Sequence, residues 1–467
     1  MNLILLKTDA LFFMLQILAI GYALFARRRE HLRAPWRRVC RRPLGMGAAV
    51  ILASYVVVAT LDSIHFHPRL PGGGDVRYSS EVASVFDIVV KPLKLNVEKT
   101  YSAPFAAYGF AKEVIELPDG ATKRDFPRLA YGGAHLANPE KERASDIAIR
   151  SATGIAGGLA AWLTIAAVLI AAIARHARVS WRATLAAVIA GRTIVPWRVI
   201  LAACAVVAVA TGYCAAVAPH YHILGTDKVG SDVLYQGLKS IRTGLLIGTL
   251  ATLVMLPFAI LLGIAAGYFR GWVDDVIQYL YTTLSSIPGV LLIAAAALML
   301  EVYMAKHAAD YTSLAARADL KLLALCMILG VTTWTGLCRY LRGEALKLRE
   351  MDFIEAARAF GVPHSVIIAR HIVPNIMHIV MISIVLDFSG LVLAEAALTY
   401  IDIGVDPSME SWGNMINSAR MELAREPVVW WSLLAAFVFM VTLVLAANVF
   451  ADAVRDAFDP RLREAQE

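Results

Sequence analysis

The chain has 467 residues, of which 58% are hydrophobic and 17% charged, with a mean hydropathy of +0.62. Soluble globular proteins carry roughly 45–50% apolar and about 25% charged residues, so an ordinary soluble enzyme and a disordered scaffold are both excluded. The net charge of +7 lies mostly in short arginine clusters beside apolar runs, a pattern of membrane topology rather than of nucleic-acid binding. The five cysteines (Cys40, Cys204, Cys214, Cys326, Cys338) form no CxxC pair and no even framework. A zinc site or disulfide scaffold is therefore not expected, with Cys204 and Cys214 left open as a pair.

Taken in chain order, apolar runs predict nine membrane spans, near 3–25, 44–61, 154–173, 198–218, 243–268, 276–300, 320–338, 376–398 and 430–451. The first run lacks a basic leader and is followed by Arg27-Arg28-Arg29, so it reads as a retained anchor with its N-terminus outside. Residues 27–42 hold eight arginines against one glutamate and are expected in the cytoplasm, with anionic lipid as a second reading. Residues 1–62 thus form two spans and a basic loop. The only long polar section follows, within 63–152. Turn signals at Pro71-Gly72-Gly73-Gly74, Pro118-Asp119-Gly120 and Tyr131-Gly132-Gly133, and the alternating stretch from Lys112 to Leu117, predict a small extracytoplasmic α+β domain. Residues 153–196 hold a third span and a linker with Arg175, Arg178, Arg182 and Arg192 but no acid, and 197–467 hold a six-span core.

Within that core, Gly244 and Gly248, then Gly263 and Gly267, are small-xxx-small pairs suited to close helix packing, and Pro257 between them removes one helical hydrogen bond. The loop 342–374 carries the strongest local signal. Leu346, Phe353, Ala356, Ala357 and Phe360 share a face and predict an amphipathic helix over 346–360. Gly361 supplies the positive φ that ends it, and Pro363 suits the start of a second helix running to about His371. Such an elbow at the membrane surface is a rigid knob, with Glu355, Arg358 and Arg370 available for ion pairs at its rim.

The pattern Glu355-Ala356-Ala357-x3-Gly361-x9-His371-Ile372-Val373-Pro374 resembles the EAA loop of ABC-importer permeases. The run His371 to Asn375 is closer to the dipeptide/oligopeptide/nickel branch. Leu224-Gly225-Thr226-Asp227, Gly230, Asp232-Val233-Leu234, Ser286-Ile287-Pro288, Glu395-Ala396-Ala397-Leu398, Ser411-Trp412-Gly413-Asn414-Met415 and Arg455-Asp456 with Asp459-Pro460-Arg461 fit its C-type subunit in the expected order. The resemblance covers about 200–467. Ser231, where relatives usually have Arg, and Asp402, within a normally Gly-rich segment before Gly404, depart from it; both bear on docking or substrate class. The three N-terminal spans and the polar section lie outside it.

The resemblance implies an all-α type I ABC-importer transmembrane domain without catalytic activity of its own. It would pair with a second permease subunit, two ABC ATPase subunits and an extracytoplasmic substrate-binding protein, and move di- or oligopeptides by alternating access. Nickel chelates or peptide-like antibiotics are the alternative cargo, and a membrane sensor or scaffold with a permease-like core is the reading from another class. No Gly-Lys dipeptide occurs, so the chain carries no phosphate-cradling GxxxxGK[ST] loop. Glu355, Ala356, Ala357, Arg358, Gly361 and Pro374 are the expected ATPase-coupling residues. Asp227, Asp232, Trp412 and Asn414 are candidates for binding-protein docking or gating.

Asp387, Glu395, Thr282 and Ser286 are candidates for the translocation pathway, because ionisable residues at membrane depth are costly unless they face a cavity or a partner. An internal ion pair or a capped helix end explains Glu395 as well, and interhelical hydrogen bonding explains Thr282 and Ser286, with their neighbours Gln278, Thr283 and Ser285. The pairs His65/His67 and His220/His222 flank predicted spans. Interfacial histidine beside aromatics is the commoner reading there than a metal site, and no cofactor or metal is expected.

Overall fold

The computed structural model describes residues 2–69, 78–79, 81–116, 122–307 and 313–458. The expected turns at 71–74 and 118–120, and the tail from Asp459, lie outside these. In chain order the elements are β1 (Asn2–Ile4), α1 (Lys7–Arg28), α2 (Glu30–Val39), α3 (Pro43–Asp62), β2 (His65–His67), β3 (Ala83–Ser84), α4 (Val85–Val89), α5 (Lys91–Leu95), β4 (Glu113–Glu116) and β5 (Thr122–Asp125). Then follow α6 (Pro139–Ala177), α7 (Trp181–Ile189), α8 (Trp197–Val217), α9 (Val233–Phe269), α10 (Trp272–Ser286), α11 (Gly289–Lys306), α12 (Leu314–Thr333) and α13 (Thr335–Arg349). The chain ends with α14 (Asp352–Ala359), α15 (His364–Ile367), a π-helical turn (Ile368–Ile372), α16 (Val373–Tyr400), α17 (Trp412–Glu422) and α18 (Trp431–Phe458).

Among the described residues, eight helices are long and apolar enough to cross a bilayer, against the nine expected. They are α1, α3, α6, α8, α9, α11, α18 and the continuous run His364–Tyr400. The ninth segment is α12, helical as expected but carrying Arg317, Asp319 and Lys321 in its first turns. The expected span 276–300 is broken between α10 and α11. Pro288 forces Ile287 into an extended conformation (ψ 130°), because its ring clashes with a helical residue before it.

The chain forms two compact units. The first comprises 1–4, 37–243 and 410–450. Its β1, β2 and β3 make an antiparallel sheet in which Leu3 pairs with Phe66 and Phe66 with Ala83. The expected strand near 112–117 is β4, paired antiparallel with β5, and its Val114 faces solvent. The inserted polar segment shares its apolar core with the loop entering α9: Leu93 and Leu136 pack with Val217, Tyr221, Ile223 and Leu234. Helices α6 and α8 approach to backbone contact. A Cβ on Gly154 would lie 2.7 Å from the Gly212 carbonyl, and one on Gly158 2.6 Å from the Ala208 carbonyl. This explains the Ala/Gly-rich composition of the third span, since small residues let membrane helices pack closely.

The second unit comprises 5–36, 244–409 and 451–467. Gly248 faces Phe388 and Val392, while Gly263 and Gly267 lie against Cys338, Leu341, Arg342 and Ala345 of α13. All five cysteines are free, including Cys204 and Cys214.

Candidate functional site

The elbow is built from the end of α13 to the start of α16, all within the second unit. The expected single helix over 346–360 is two helices, α13 and α14, separated at Glu350-Met351. Met351 is extended (ψ 139°) and turns the chain, so Leu346 lies in α13, on a different helix from Phe353, Ala356 and Ala357. At its end the backbone N–H of Gly361 donates to Arg358 O at 3.0 Å, and that of Val362 to Ala357 O at 3.1 Å. These two bonds define a Schellman cap, whose left-handed residue is Gly361 at φ +73°. A Cβ there would meet nothing within 4 Å, so the glycine is required by backbone conformation and not by space.

Beyond Pro363 the helix does not stop at His371. It continues through the π turn into α16, with Pro374 in the first turn of α16. Proline has no N–H to donate, and the wider turn removes the demand for one at that point.

One face of the elbow is fastened inward. Ile354, Ile367, Ile372 and Ile376 are all fully buried, in one cluster with Tyr268, Ile277, Leu341 and Ala345. Tyr268 Oη lies 2.7 Å from His364 Nδ1, and Arg349 donates to Tyr268 O at 2.9 Å. Arg342 forks onto Asp274 at 2.6 and 2.7 Å, and Arg270 pairs with Glu350. The bidentate bonds from Arg342 hold the Asp274 carboxyl below its usual range. The other face is open. Glu355, Ala356, Arg358, Gly361 and Pro374 are exposed, Ala357 is half-buried, and Phe360 is 86% exposed. Glu355, Arg358, Ala359, Gly361, Val362, Pro363 and His364 line a concavity of ≈ 670 Å³. A short helix pinned by isoleucines, with charge, small residues and an exposed aromatic on its free side, is suited to receive a protein partner.

This anchored elbow sits within residues 259–464, which match the binding-protein-dependent transport system inner membrane component family. The oligopeptide transport system permease protein of Mycobacterium tuberculosis is 31% identical over 52% of this chain and 77% of its own length. The chain belongs to this permease family. The corresponding protein of Haemophilus influenzae is 29% identical over 52% of the chain and 71% of its own. The glutathione transport system permease protein of Pectobacterium atrosepticum is 28% identical over 52% and 73%. Like other members, this permease is a multi-pass inner-membrane protein.

The permease's remaining candidate residues are placed as follows. Asp227 accepts from the backbone N–H groups of Val229 and Ser231 and from Gln236, and so organises its own loop. Asp232 is 1% exposed. It caps α9 through Leu234 N–H at 2.8 Å and accepts from His222 Nδ1 at 2.7 Å. Trp412 is equally buried and donates to Gly237 O at 3.1 Å, while Asn414 lies in the first turn of α17, capped by Ser411. Asp232 and Trp412 are both buried inside the chain, where they fix the loop and helix positions. Glu395 is 2% exposed and accepts from Thr399 at 2.9 Å. Asp387 is half-buried, and Thr282 and Ser286 are exposed, the Ser286 hydroxyl donating to Thr283 O.

One member of a buried cluster, Glu98, had no signal in the sequence. Glu98, in the inserted segment, accepts the backbone N–H groups of Ala130, Tyr131 and Gly132 and lies 3.4 Å from His222 Nε2. Burial alone would raise the Glu98 pKa and lower that of His222. The reciprocal contacts outweigh it, bringing Glu98 down to about 2 and, together with Asp232, His222 up to about 9. His222 is held between two carboxylates, Glu98 and Asp232, whose charges favour its protonated form. Only the HxH spacing hinted at chemistry here, because Glu98 is 124 residues away.

Proposed function

We propose that this permease is the translocation subunit of an ATP-driven importer for di- or oligopeptides, and that the elbow over 352–374 is where a partner ATPase seats. The observation carrying this reading is the two-sided elbow: buried isoleucines fix it to the bundle, and Glu355, Arg358 and Phe360 stay free beside the concavity. A knob held this rigidly passes displacement to α13 and α16 instead of absorbing it, as rigid-body alternating access requires. A second permease subunit, two ATPases and an extracytoplasmic binding protein complete the assembly. The peptide cargo is inferred from the oligopeptide, dipeptide and glutathione permeases among the relatives.

The test is a cysteine at Phe360 in the complete transporter. Crosslinking of that cysteine to the ATPase, with loss of labelled-peptide uptake in proteoliposomes, is the expected result. Crosslinking to nothing in an assembly that still transports would refute the seat. Uptake of nickel chelate or a peptide-like antibiotic, unaffected by competing peptide, would instead reassign the cargo.

A further inference from the structure

The permease core leaves the arginine-rich connectors ahead of α3 and around α7 without a role. Within the first unit the fold brings them together. Helix α6 ends where Arg178 turns left-handed (φ +54°), and Ser180 then caps α7. Helix α7 folds back so that Val188 packs with Ala166 and Ile170 of α6 and Leu201 of α8. The start of α3 lies beside the start of α8: a Cβ on Gly47 would sit 3.2 Å from Val199 Cγ1. Arg37, Arg38, Arg41 and Arg42, which lead into α3, therefore share one end of this bundle with Arg198, in the first turn of α8, and with Arg175, Arg178, Arg182 and Arg192.

No Asp or Glu occurs in 31–61 or 147–226. Arg175, Arg178, Arg182, Arg192 and Arg198 are all exposed. Large apolar side chains stand among them, with Trp181 57%, Ile189 65% and Ile194 75% exposed, and Arg182 lies over the Trp181 ring. Helix α8 has 21 residues, which at 1.5 Å each is about the thickness of a bilayer's hydrocarbon layer, so this end lies at headgroup depth.

We propose that this end of α3, α6, α7 and α8 binds the anionic headgroups of membrane phospholipids. The guanidinium groups would fork onto phosphate oxygens, while Trp181, Ile189 and Ile194 enter the upper acyl region. Topology alone asks only that each connector be basic. It does not ask that two connectors far apart in sequence converge on one end of the bundle, nor that apolar side chains be exposed between the arginines.

Native mass spectrometry of the full chain, in detergent with equal phosphatidylglycerol and phosphatidylcholine, tests this. The wild type should retain phosphatidylglycerol preferentially, and rising salt should erase that preference. The variant R175Q/R178Q/R182Q should lower phosphatidylglycerol occupancy by about fivefold or more, while the matching lysine variant keeps most of it and R124Q, on β5, leaves it unchanged. A cysteine at Lys123, labelled from the same side in every variant, separates headgroup binding from reversed insertion. Equal retention of both lipids by the wild type would overturn the proposal, as would a triple glutamine variant with unchanged preference.

Discussion

The carboxylate of Asp319 caps helix α1, accepting the backbone N–H of Lys7 at 2.9 Å across 312 positions of sequence. The Thr8 hydroxyl also donates to it, and Asp319 is only 3% exposed. Leu6, at the N-cap position of α1, has no side-chain acceptor, so a core helix supplies what the local sequence lacks. The extra first span is thereby tied to α12 within the second unit.

Removing that tie has a definite consequence. Asp319→Ala should destabilise the protein by about 1–2 kcal/mol, since it strips the cap and the carboxylate that accepts the Thr8 hydroxyl. Thermal unfolding in detergent should show the loss. Disulfide trapping between cysteines placed in α1 and α12 should slow, and an unchanged trapping rate would contradict the tie.

Replacing His222 by Leu leaves Glu98 and Asp232 as buried carboxylates without their shared cation. A loss of roughly 3–5 kcal/mol is expected, read as faster proteolytic release of the segment between α3 and α6. The wild type carries a matching pH signature. The folded pKa of His222 is raised to about 9, so its contribution is complete below its ordinary value of 6.5 and is lost as pH climbs through 9. Glu98 is lowered from 4.5 to about 2, so its contribution is complete above 4.5 and is lost as pH falls toward 2. Protease resistance of this segment should therefore peak between these two windows, and the His222→Leu variant should lose the alkaline limb.

Gly361→Pro cannot adopt φ +73° and removes the N–H that bonds Arg358 O. It should insert normally but fail to couple ATP hydrolysis to uptake. Gly361→Ala meets no atom and bears only the left-handed penalty of about 1–2 kcal/mol, so it should retain partial uptake. Full uptake by the proline variant would remove the elbow from the mechanism.

Gly267→Leu tests the seam beneath the elbow. A Cβ at this position already lies 2.5 Å from Arg342 O and 2.6 Å from Ala345 Cβ, so α13 must shift away from α9. Overpacking of this kind should cost about 1–3 kcal/mol. It should also reduce uptake while leaving the exposed elbow residues unchanged. A melting temperature and uptake rate equal to wild type would show that the seam tolerates the bulk.

Some of this architecture is readable without coordinates, and particular residues show why. Gly361 and Pro363 announce a helix end because φ preference is a local property. Gly263 and Gly267 announce a close approach because their spacing places both on one helix face. The break at Glu350-Met351 had no comparable mark: neither residue is a helix breaker, and the apolar spacing runs across it. Pro288 was visible, but the apolar run around it is as long as a span, and length outweighed the proline. Glu395 and Asp232 carry identities that suit a pathway or a docking face, and neither their burial nor their hydrogen-bond partners can be read from local sequence.

Amino-acid order alone points to a membrane permease with a helix–glycine–helix elbow, because hydropathy, glycine spacing and the EAA pattern are all written within short windows. The pairing of Asp319 with α1, of Glu98 with His222, and of two arginine connectors at one bundle end belongs to the tertiary arrangement. Those relationships join residues about 120 to 310 positions apart, and nothing local encodes which distant carboxylate or helix end packing will bring within reach.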